Sequence, residues 1–559
     1  MTIDFSRRTF LAAGAAAAGI VLAGCSGTSG AGKAGAGKGA LMTLACENSR
    51  TFTRNFNPFS PTSRWASTKA MYEPLMIQNF ATGKLEPSLA TAYTWSNGGR
   101  RLELKLRSDV KWSDGKPFTA DDVVFTFELM KANPGLIGPA SGVWQDFLGS
   151  VSAADPGTVR FDFRKVYSPG LYLLVGQFVV GKDAWSAVTD PVKYTNENPV
   201  ATGPFTTVSV FGAQQYQLTQ NPHYWQPLNI RGLNVPAYSG NDQIAAALVS
   251  GQLDWGGTAV DPDKTFVPKD PKHFGYWWPL TSTVFLAMNT TKKPFDDVRV
   301  RKAISLALDR QRMIQVALWG KSEPGNASGL AEGAFKAWID PGVVTSGKSW
   351  VNHDPAAAAA QLDAAGIKLV NGKRVGPDGK PLQFTIEVPT GWTDWIASSQ
   401  VVSQSLNAIG ITVDLRTPAV ETWTDNTQNG RFDLTLTNND LSATPFEFFR
   451  AMMSSQTYAP VGTPSAQNLQ RFKDPRADAL LEKFAATSDQ QVQKGFARQL
   501  QALFSEDAPA VPLYGQPSWG TYNTKRFSGL PSSKDQYAPL NNQGAGTTYL
   551  IWPKLTYTA

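Results

Sequence analysis

The sequence predicts an α/β fold, because several segments repeat their apolar residues with the period of a strand or of a helix. In the clearest one, Phe384, Ile386 and Val388 alternate with polar residues, a helical pattern follows over residues 396–409, and residues 411–415 again have a strand pattern. Strand, helix and strand in this order are typical of a mostly parallel sheet covered by helices.

Segments nearer the N-terminus favour the same class. Residues 102–106 alternate leucine with charged residues, as a half-buried strand does, and residues 110–112 predict a second short strand before a Ser-Asp-Gly turn. Thr119 is placed to cap the helix that follows, since its hydroxyl can accept a free backbone N–H. A further helix is predicted after Asp297, where apolar residues return at helical spacing.

The N-terminus predicts export and a lipid anchor. Residues 6–11 (SRRTFL) resemble a twin-arginine export signal, and the apolar run over residues 12–22 is too short to cross a membrane. The LAGC stretch that ends at Cys25 resembles a bacterial lipobox. We therefore expect a signal peptide over residues 1–24, lipidation of Cys25 and a flexible tether to residue 40, with the twin-arginine and general secretory routes both open.

The amino-acid composition argues against some functions and favours a ligand site with aromatic side chains. The net charge of +7 is mild for 559 residues and no Lys/Arg run exceeds two, so nucleic acid binding is not expected. Three scattered histidines form no recognisable metal motif, and we expect neither metal nor cofactor. With Cys25 lipidated, Cys46 is left as a lone buried thiol. The 17 Trp, 30 Phe and 15 Tyr exceed what a core needs, which leaves aromatic rings for a ligand site.

Eight motifs in order resemble one family over essentially the whole exported chain. They are YEPL (72–75), LEPSLA (85–90), VKWSDGKPFTADDV (110–123), TGPF (202–205), NPHYW (221–225), SGQLD (250–254), PFDDVRVRKA (294–303) leading to DR (309–310), and APAVPLY (508–514). The resemblance is to the extracytoplasmic solute-binding proteins of family 5, the oligopeptide and dipeptide binders of ABC importers. It implies a monomeric binding protein rather than an enzyme, with an ABC permease as its partner.

The family resemblance also implies a two-lobed periplasmic-binding-protein fold with an extra inserted domain. By analogy, residues 41–72, 200–280 and 515–559 form lobe I, residues 73–199 form the inserted domain, and residues 281–514 form lobe II. The lobes are expected to close on the ligand by a hinge motion and to bury it between them.

The ligand is expected to be an oligosaccharide, with a peptide as the alternative. Peptide binders of the family hold the ligand's ammonium with an acidic residue, and that position falls on Leu441 here, with Asp440 one residue away. Instead, the GWTDW stretch at 391–395 and the Asp254-Trp255 pair resemble the branch that binds β-linked sugars such as cellobiose. Indole rings pack on sugar rings, while amides and carboxylates pair with hydroxyls. The candidate ligand-binding residues are Trp392, Asp394, Trp395, Trp423, Asn438, Asn439, Asp440, Trp65, Trp277 and Trp519.

A hydrolase is the third hypothesis. Asp394 and Asp440 are two carboxylates of the kind that a glycosidase uses, but no hydrolase signature accompanies them.

Overall fold

This computed structural model describes residues 40–47, 49–438, 442–544 and 546–558. Within these ranges, the larger β-sheets have seven, five and four strands, and three two-stranded sheets accompany them. The predicted signal peptide, Cys25 and nearly all of the tether lie outside the described residues, as do Asn439 and Asp440. No helix within the described ranges is both long and apolar enough to span a bilayer.

The strands are β1 Leu41–Ala45, β2 Met76–Asn79, β3 Lys84–Pro87, β4 Ala90–Ser96, β5 Arg101–Leu106, β6 Leu148–Asp155, β7 Thr158–Phe163, β8 Phe205–Phe211, β9 Gln215–Gln220, β10 Gly232–Pro236, β11 Trp255–Gly256, β12 Phe274–Tyr276, β13 Leu280–Met288, β14 Lys368–Val370, β15 Lys373–Val375, β16 Gln383–Glu387, β17 Thr412–Arg416, β18 Leu434–Asn438, β19 Val511–Pro517, β20 Thr521–Asn523, β21 Phe527–Ser528 and β22 Thr556–Tyr557. The helices are α1 Ala120–Ala132, α2 Val143–Asp146, α3 Gly170–Val175, α4 Lys182–Trp185, α5 Asn241–Val249, α6 Pro262–Thr265, α7 Val298–Ala307, α8 Arg310–Leu318, α9 Glu332–Phe335, α10 Pro341–Val351, α11 Pro355–Ala364, α12 Thr393–Ala408, α13 Val420–Gln428, α14 Phe446–Met453, α15 Pro475–Ala485 and α16 Gln490–Asp507.

Aspartate side chains begin many of these helices. In each case the carboxylate accepts a backbone N–H of the first turn that has no partner inside the helix. The capping residues are Asp297, Asp309, Asp340, Asp354, Asp474 and Asp489.

The first sheet has seven strands in the order β12-β20-β11-β1-β10-β9-β8. In it, β1 runs parallel to β10 and β11, whereas the other pairs are antiparallel. Its strands come from widely separated parts of the chain, all within the ranges predicted for lobe I. The domain boundaries themselves stay a prediction.

The second sheet, in the order β17-β16-β18-β13-β19, contains the predicted strand–helix–strand unit. Strand β16 pairs in parallel with β17 through α12, which confirms that unit. Strand β13 pairs antiparallel with both β18 and β19, so the sheet is mixed, while its other four strands run in one direction. The fold class is nevertheless α/β, with mixed sheets.

The third sheet, β4-β5-β7-β6, is antiparallel and packs against α1. Thr119 caps α1 as predicted, in a capping box whose second member is Asp122. The strand predicted at residues 110–112 does not form. Lys111 instead makes an isolated bridge with Pro117, because the Ser-Asp-Gly turn closes too tightly for a longer ladder.

The apolar core is divided among three clusters. The largest lies under the first and third sheets, the second surrounds the β16–α12–β17 unit, and the third packs α5 against its sheet. Cys46 is a buried free thiol, as predicted.

Candidate ligand-binding cleft

One edge of the second sheet carries most of the candidate site. Because β16 and β18 are parallel, both end at this edge, where Trp392 follows β16 and Asn438 is the last residue of β18. Strand β13 runs the other way and begins there, with Leu280 opposite Pro517 at the end of β19. The carboxyl ends of sheet strands are the usual place for ligands in α/β folds, so the sheet brings these loops together at a binding edge.

A cavity of about 1160 Å³ opens at this edge. It exceeds the roughly 300–1,000 Å³ of a typical small-molecule site, so it has room for a ligand of several units. Besides the second sheet, its walls include residues of the first sheet's loops and of the segment 137–178 beside the third sheet. The aromatic lining residues are Phe80, Tyr167, Tyr172, Phe178, Trp392, Trp395, Phe448 and Trp519.

Three predicted tryptophans pack together beside the cavity. The ring centroids of Trp392 lie 4.9 Å from Trp395 and 5.8 Å from Trp423, and those of Trp395 and Trp423 are 5.9 Å apart. Trp392 and Trp395 line the cavity, whereas Trp423 stands behind them and donates its indole N–H to Thr435 Oγ1 at 2.9 Å. Trp423 therefore supports the aromatic wall rather than forming it.

Asp394 lies on the cavity wall in the first turn of α12 and is 7% exposed. Burial raises the pKa of its carboxyl to about 6, and hydrogen bonds from backbone N–H groups and from Asn241 oppose that rise. Such a carboxyl is poised to accept or share a hydrogen bond with a ligand hydroxyl.

Segments that adjoin the first and second sheets contact each other across the cleft, beside Asp394. The Asn241 side-chain amide at the start of α5 donates to Thr393 Oγ1 at 3.1 Å, and that hydroxyl donates to the Ala259 carbonyl at 3.3 Å. The loop glycines Gly240 and Gly391 meet here without side chains between them. These contacts join α5 and the loop at Ala259 to the start of α12 beside the cavity.

Several polar atoms of the cavity wall have no hydrogen-bond partner within the described part of the chain. Among the neutral groups they are the indole Nε1 of Trp392, Oε1 of Gln78 and Oε1 of Gln516. These atoms have almost no exposed surface, so a ligand reaches them only after a shift of the side chain. A buried polar atom left unpaired costs about 1–3 kcal/mol.

Three charged side chains form another part of the wall. On α14, Arg450 Nη1 lies 3.4 Å from Glu447 Oε2, and its Nη2 lies 3.8 Å from Asp146 Oδ2 on α2. Burial raises the pKa of the Glu447 carboxyl, and the Arg450 charge opposes that rise.

The structure places the remaining predicted site residues in different surroundings. Trp519 and Asn438 line the cavity. Trp65 and Trp277 are not among the residues that line it. The Trp65 indole N–H donates to the Asn542 carbonyl at 2.8 Å and its ring meets Trp552 edge-on, while the partly buried Trp277 packs against the main core. Both rings are held by structural contacts.

Other cavity residues were not singled out by the sequence. The sequence motifs point to tryptophans and to strand ends, and they carry no signal for residues that reach the cavity from helices or from distant segments of the chain. They are Asn241, Gln78, Gln516, Asp146, Glu447 and Arg450. Across the described ranges, no cluster of three or more His, Cys, Asp or Glu side chains could hold a metal ion.

The comparisons with known proteins decide the family. The family model of the bacterial extracellular solute-binding proteins, family 5, matches residues 84–460. The chain belongs to this family. Its members are substrate-binding proteins of ABC importers rather than enzymes, so this chain is a solute-binding protein that works with an ABC permease.

Individual relatives agree on the fold and differ in the ligand. The probable D,D-dipeptide-binding periplasmic protein DdpA of Escherichia coli (strain K12) is 25% identical over 461 residues, which are 80% of this chain and 84% of that protein. The mannohexaose-bound periplasmic oligopeptide-binding protein of an oligopeptide ABC transporter from Thermotoga maritima is 26% identical, with a TM-score of 0.84 over 93% of this chain and 98% of its own. NikZ from Campylobacter jejuni, in complex with Ni(L-His), has a TM-score of 0.76 at 20% identity over 92% of this chain and 99% of its own, which supports the fold alone.

Proposed function

We propose that this family 5 binding protein captures an oligosaccharide, β-linked and cellobiose-like, and delivers it to its permease. The observation that carries the proposal is Trp392, whose side chain lines the cavity within a cluster of three indoles. An indole can pack its face on the C–H face of a sugar ring while its N–H donates to a hydroxyl.

The rest of the wall fits an uncharged, hydroxyl-rich ligand. Sugar hydroxyls donate and accept at once, so they can pair with polar side chains of the wall such as those of Gln78, Asn438 and Gln516. A peptide backbone also donates and accepts, but its charged ends require ionic partners, which the cavity supplies only through Asp146, Asp394, Glu447 and Arg450. The mannohexaose complex of the Thermotoga maritima relative supports the same reading.

A peptide is the second candidate, and it is favoured by the D,D-dipeptide-binding relative from Escherichia coli. The cavity's acidic residues, Asp146, Asp394 and Glu447, could then receive an ammonium group.

Binding is proposed to work by closure of the lobes. The ligand would favour the closed arrangement in which Asn241 meets Thr393, and the permease would dock on that state. Outside the cell, lipidation of Cys25 would hold the protein at the membrane on its tether.

A thermal-shift screen of the protein lacking residues 1–40 tests the ligand class. Cello-, xylo- and manno-oligosaccharides would be compared with a mixture of di- to pentapeptides. A ligand at ~100 times its Kd adds about 2.7 kcal/mol of stability, enough for a clear rise in melting temperature. A rise with the sugars is expected, whereas a rise with the peptides alone would overturn the oligosaccharide proposal.

A further inference from the structure

A chain of hydrogen bonds lies behind the tryptophan wall of the cavity. The Trp423 indole N–H donates to Thr435 Oγ1 at 2.9 Å, and that hydroxyl donates in turn to the Glu387 carbonyl at 2.7 Å. Thr435, which has no exposed surface, lies on β18 directly opposite Glu387 on β16. The chain therefore joins helix α13 to the end of the strand that leads to Trp392.

Further hydrogen bonds hold α13 beside the loop that carries Trp392. The Asn426 side-chain amide, one turn after Trp423, donates to Glu387 Oε2 at 3.1 Å. The loop itself is tied to the segment before α13, because the Thr390 N–H donates to the Pro418 carbonyl at 2.8 Å. The start of α13 is thus fixed relative to the cavity edge.

The Trp423 ring transmits this fixed position to the ring that faces the ligand. Its centroid lies 5.8 Å from that of Trp392, with the planes at 52°, and 5.9 Å from that of Trp395, with the planes at 74°. Trp395 is buried, whereas Trp392 is half-buried and lines the cavity. A ring that is open to the cavity on one side depends on the contacts behind it for its orientation.

We infer that Thr435 is a positioning residue for the ligand: by holding the Trp423 indole, it fixes the orientation in which Trp392 meets a sugar ring. The inference rests on the proposed function, since it concerns the ring that packs on the oligosaccharide. Its consequence is that affinity depends on a buried hydroxyl that the ligand does not touch.

Three threonine variants test the inference by titration calorimetry with the oligosaccharide that binds best among the cello, xylo and manno series. Thr435→Val keeps the shape and removes the hydroxyl, so affinity should fall about fivefold, the value of one hydrogen bond. Thr435→Ser keeps the hydroxyl and should restore binding to within about twofold of the wild type.

Thr126→Val is the matched control. Its hydroxyl is also fully buried, accepts the Val180 N–H at 3.1 Å and donates to the Asp122 carbonyl at 2.8 Å, but it lies on α1, away from the cavity. This variant should bind the oligosaccharide as the wild type does.

A double-mutant cycle separates positioning from general damage. If Thr435 acts through the ring of Trp392, Thr435→Val should weaken binding about fivefold in the wild-type background and less than about twofold in the Trp392→Ala background. An equal loss in both backgrounds would overturn the inference. Should Thr435→Val fail to fold, Trp423→Phe removes the same hydrogen bond from the indole side and takes its place in the cycle.

Circular dichroism tests the ring geometry without a ligand. Closely packed indoles couple their electronic transitions and add a paired positive and negative band to the far-ultraviolet spectrum, with a size that depends on the angle between the rings. The difference between the wild-type and Trp392→Phe spectra gives the part that Trp392 contributes. Thr435→Val should lose a comparable part, whereas Thr435→Ser and Thr126→Val should keep the wild-type spectrum.

The outcomes distinguish this inference from the proposed function. If the oligosaccharide binds but a folded Thr435→Val protein keeps the wild-type spectrum or the wild-type affinity, the positioning role is overturned and the function stands. If no oligosaccharide binds the wild-type protein, the function falls, and the spectra alone decide whether Thr435 fixes the rings. Melting curves of each variant verify that it is folded.

Discussion

Replacing Trp392 with alanine gives the strongest single test of how the cleft holds its ligand. The substitution removes a ring that lines the cavity and an indole N–H that no described residue pairs. Trp395 and Trp423, its neighbours at 4.9 and 5.8 Å, remain to hold the local fold.

The size of the effect follows from two contributions. Covering roughly 60 Å² of ring face with a sugar contributes about 1.5 kcal/mol at ~25 cal/mol per Å². The indole hydrogen bond contributes about 1 kcal/mol. The sum of about 2.5 kcal/mol corresponds to an affinity loss of about 70-fold.

Titration calorimetry on three variants checks this reasoning. Trp392→Ala should lose about 70-fold in affinity, whereas Trp392→Phe retains a ring and should lose only about fivefold, the value of the N–H alone. Trp144→Phe, outside the cavity, is the control and should bind as the wild type does. A folded Trp392→Ala protein whose Kd stays within about twofold of the wild-type value would refute the role assigned to this ring.

Three further predictions concern stability, closure and location. Burial raises the pKa of Glu73 to about 7, so ionising this carboxyl destabilises the fold increasingly as the pH rises from about 4 to 7. Glu73→Gln should therefore stabilise the protein by up to about 3 kcal/mol at pH 8 and hardly at all at pH 4, and equal shifts at both pH values would contradict this. Thr393→Val removes the hydroxyl that joins Asn241 and Ala259 across the cleft. Ligand affinity should fall about fivefold, and small-angle scattering should show less compaction on ligand binding than for the wild type; unchanged values would show that the contact has no part in closure. Cys25→Ser should move the protein from the membrane fraction to the soluble one, and continued membrane association would argue against the lipid anchor.

Local patterns in the sequence were enough to predict much of the fold. The alternation around Ile386, the helix that follows it and the next strand all form, because their burial pattern is set by residues close together in the chain. Thr119 caps its helix for the same reason. The direction in which β13 and β19 pair could not be read in this way, since each of them joins the sheet from far along the chain.

The candidate site also combines features that the sequence indicates with features that only the tertiary structure creates. By itself the sequence determined the α/β class, the family motifs and the positions of Trp392, Trp395 and Trp423 after two predicted strands. The packing of these three rings against one another came from the tertiary structure. Only the tertiary structure decided that Trp65 is a core residue and that Glu447 meets Asp146 through Arg450. The local sequence does not distinguish a tryptophan of the core from one of the cleft, and a salt bridge between distant segments leaves no periodic pattern. Long-range packing alone therefore determines which side chains face the ligand.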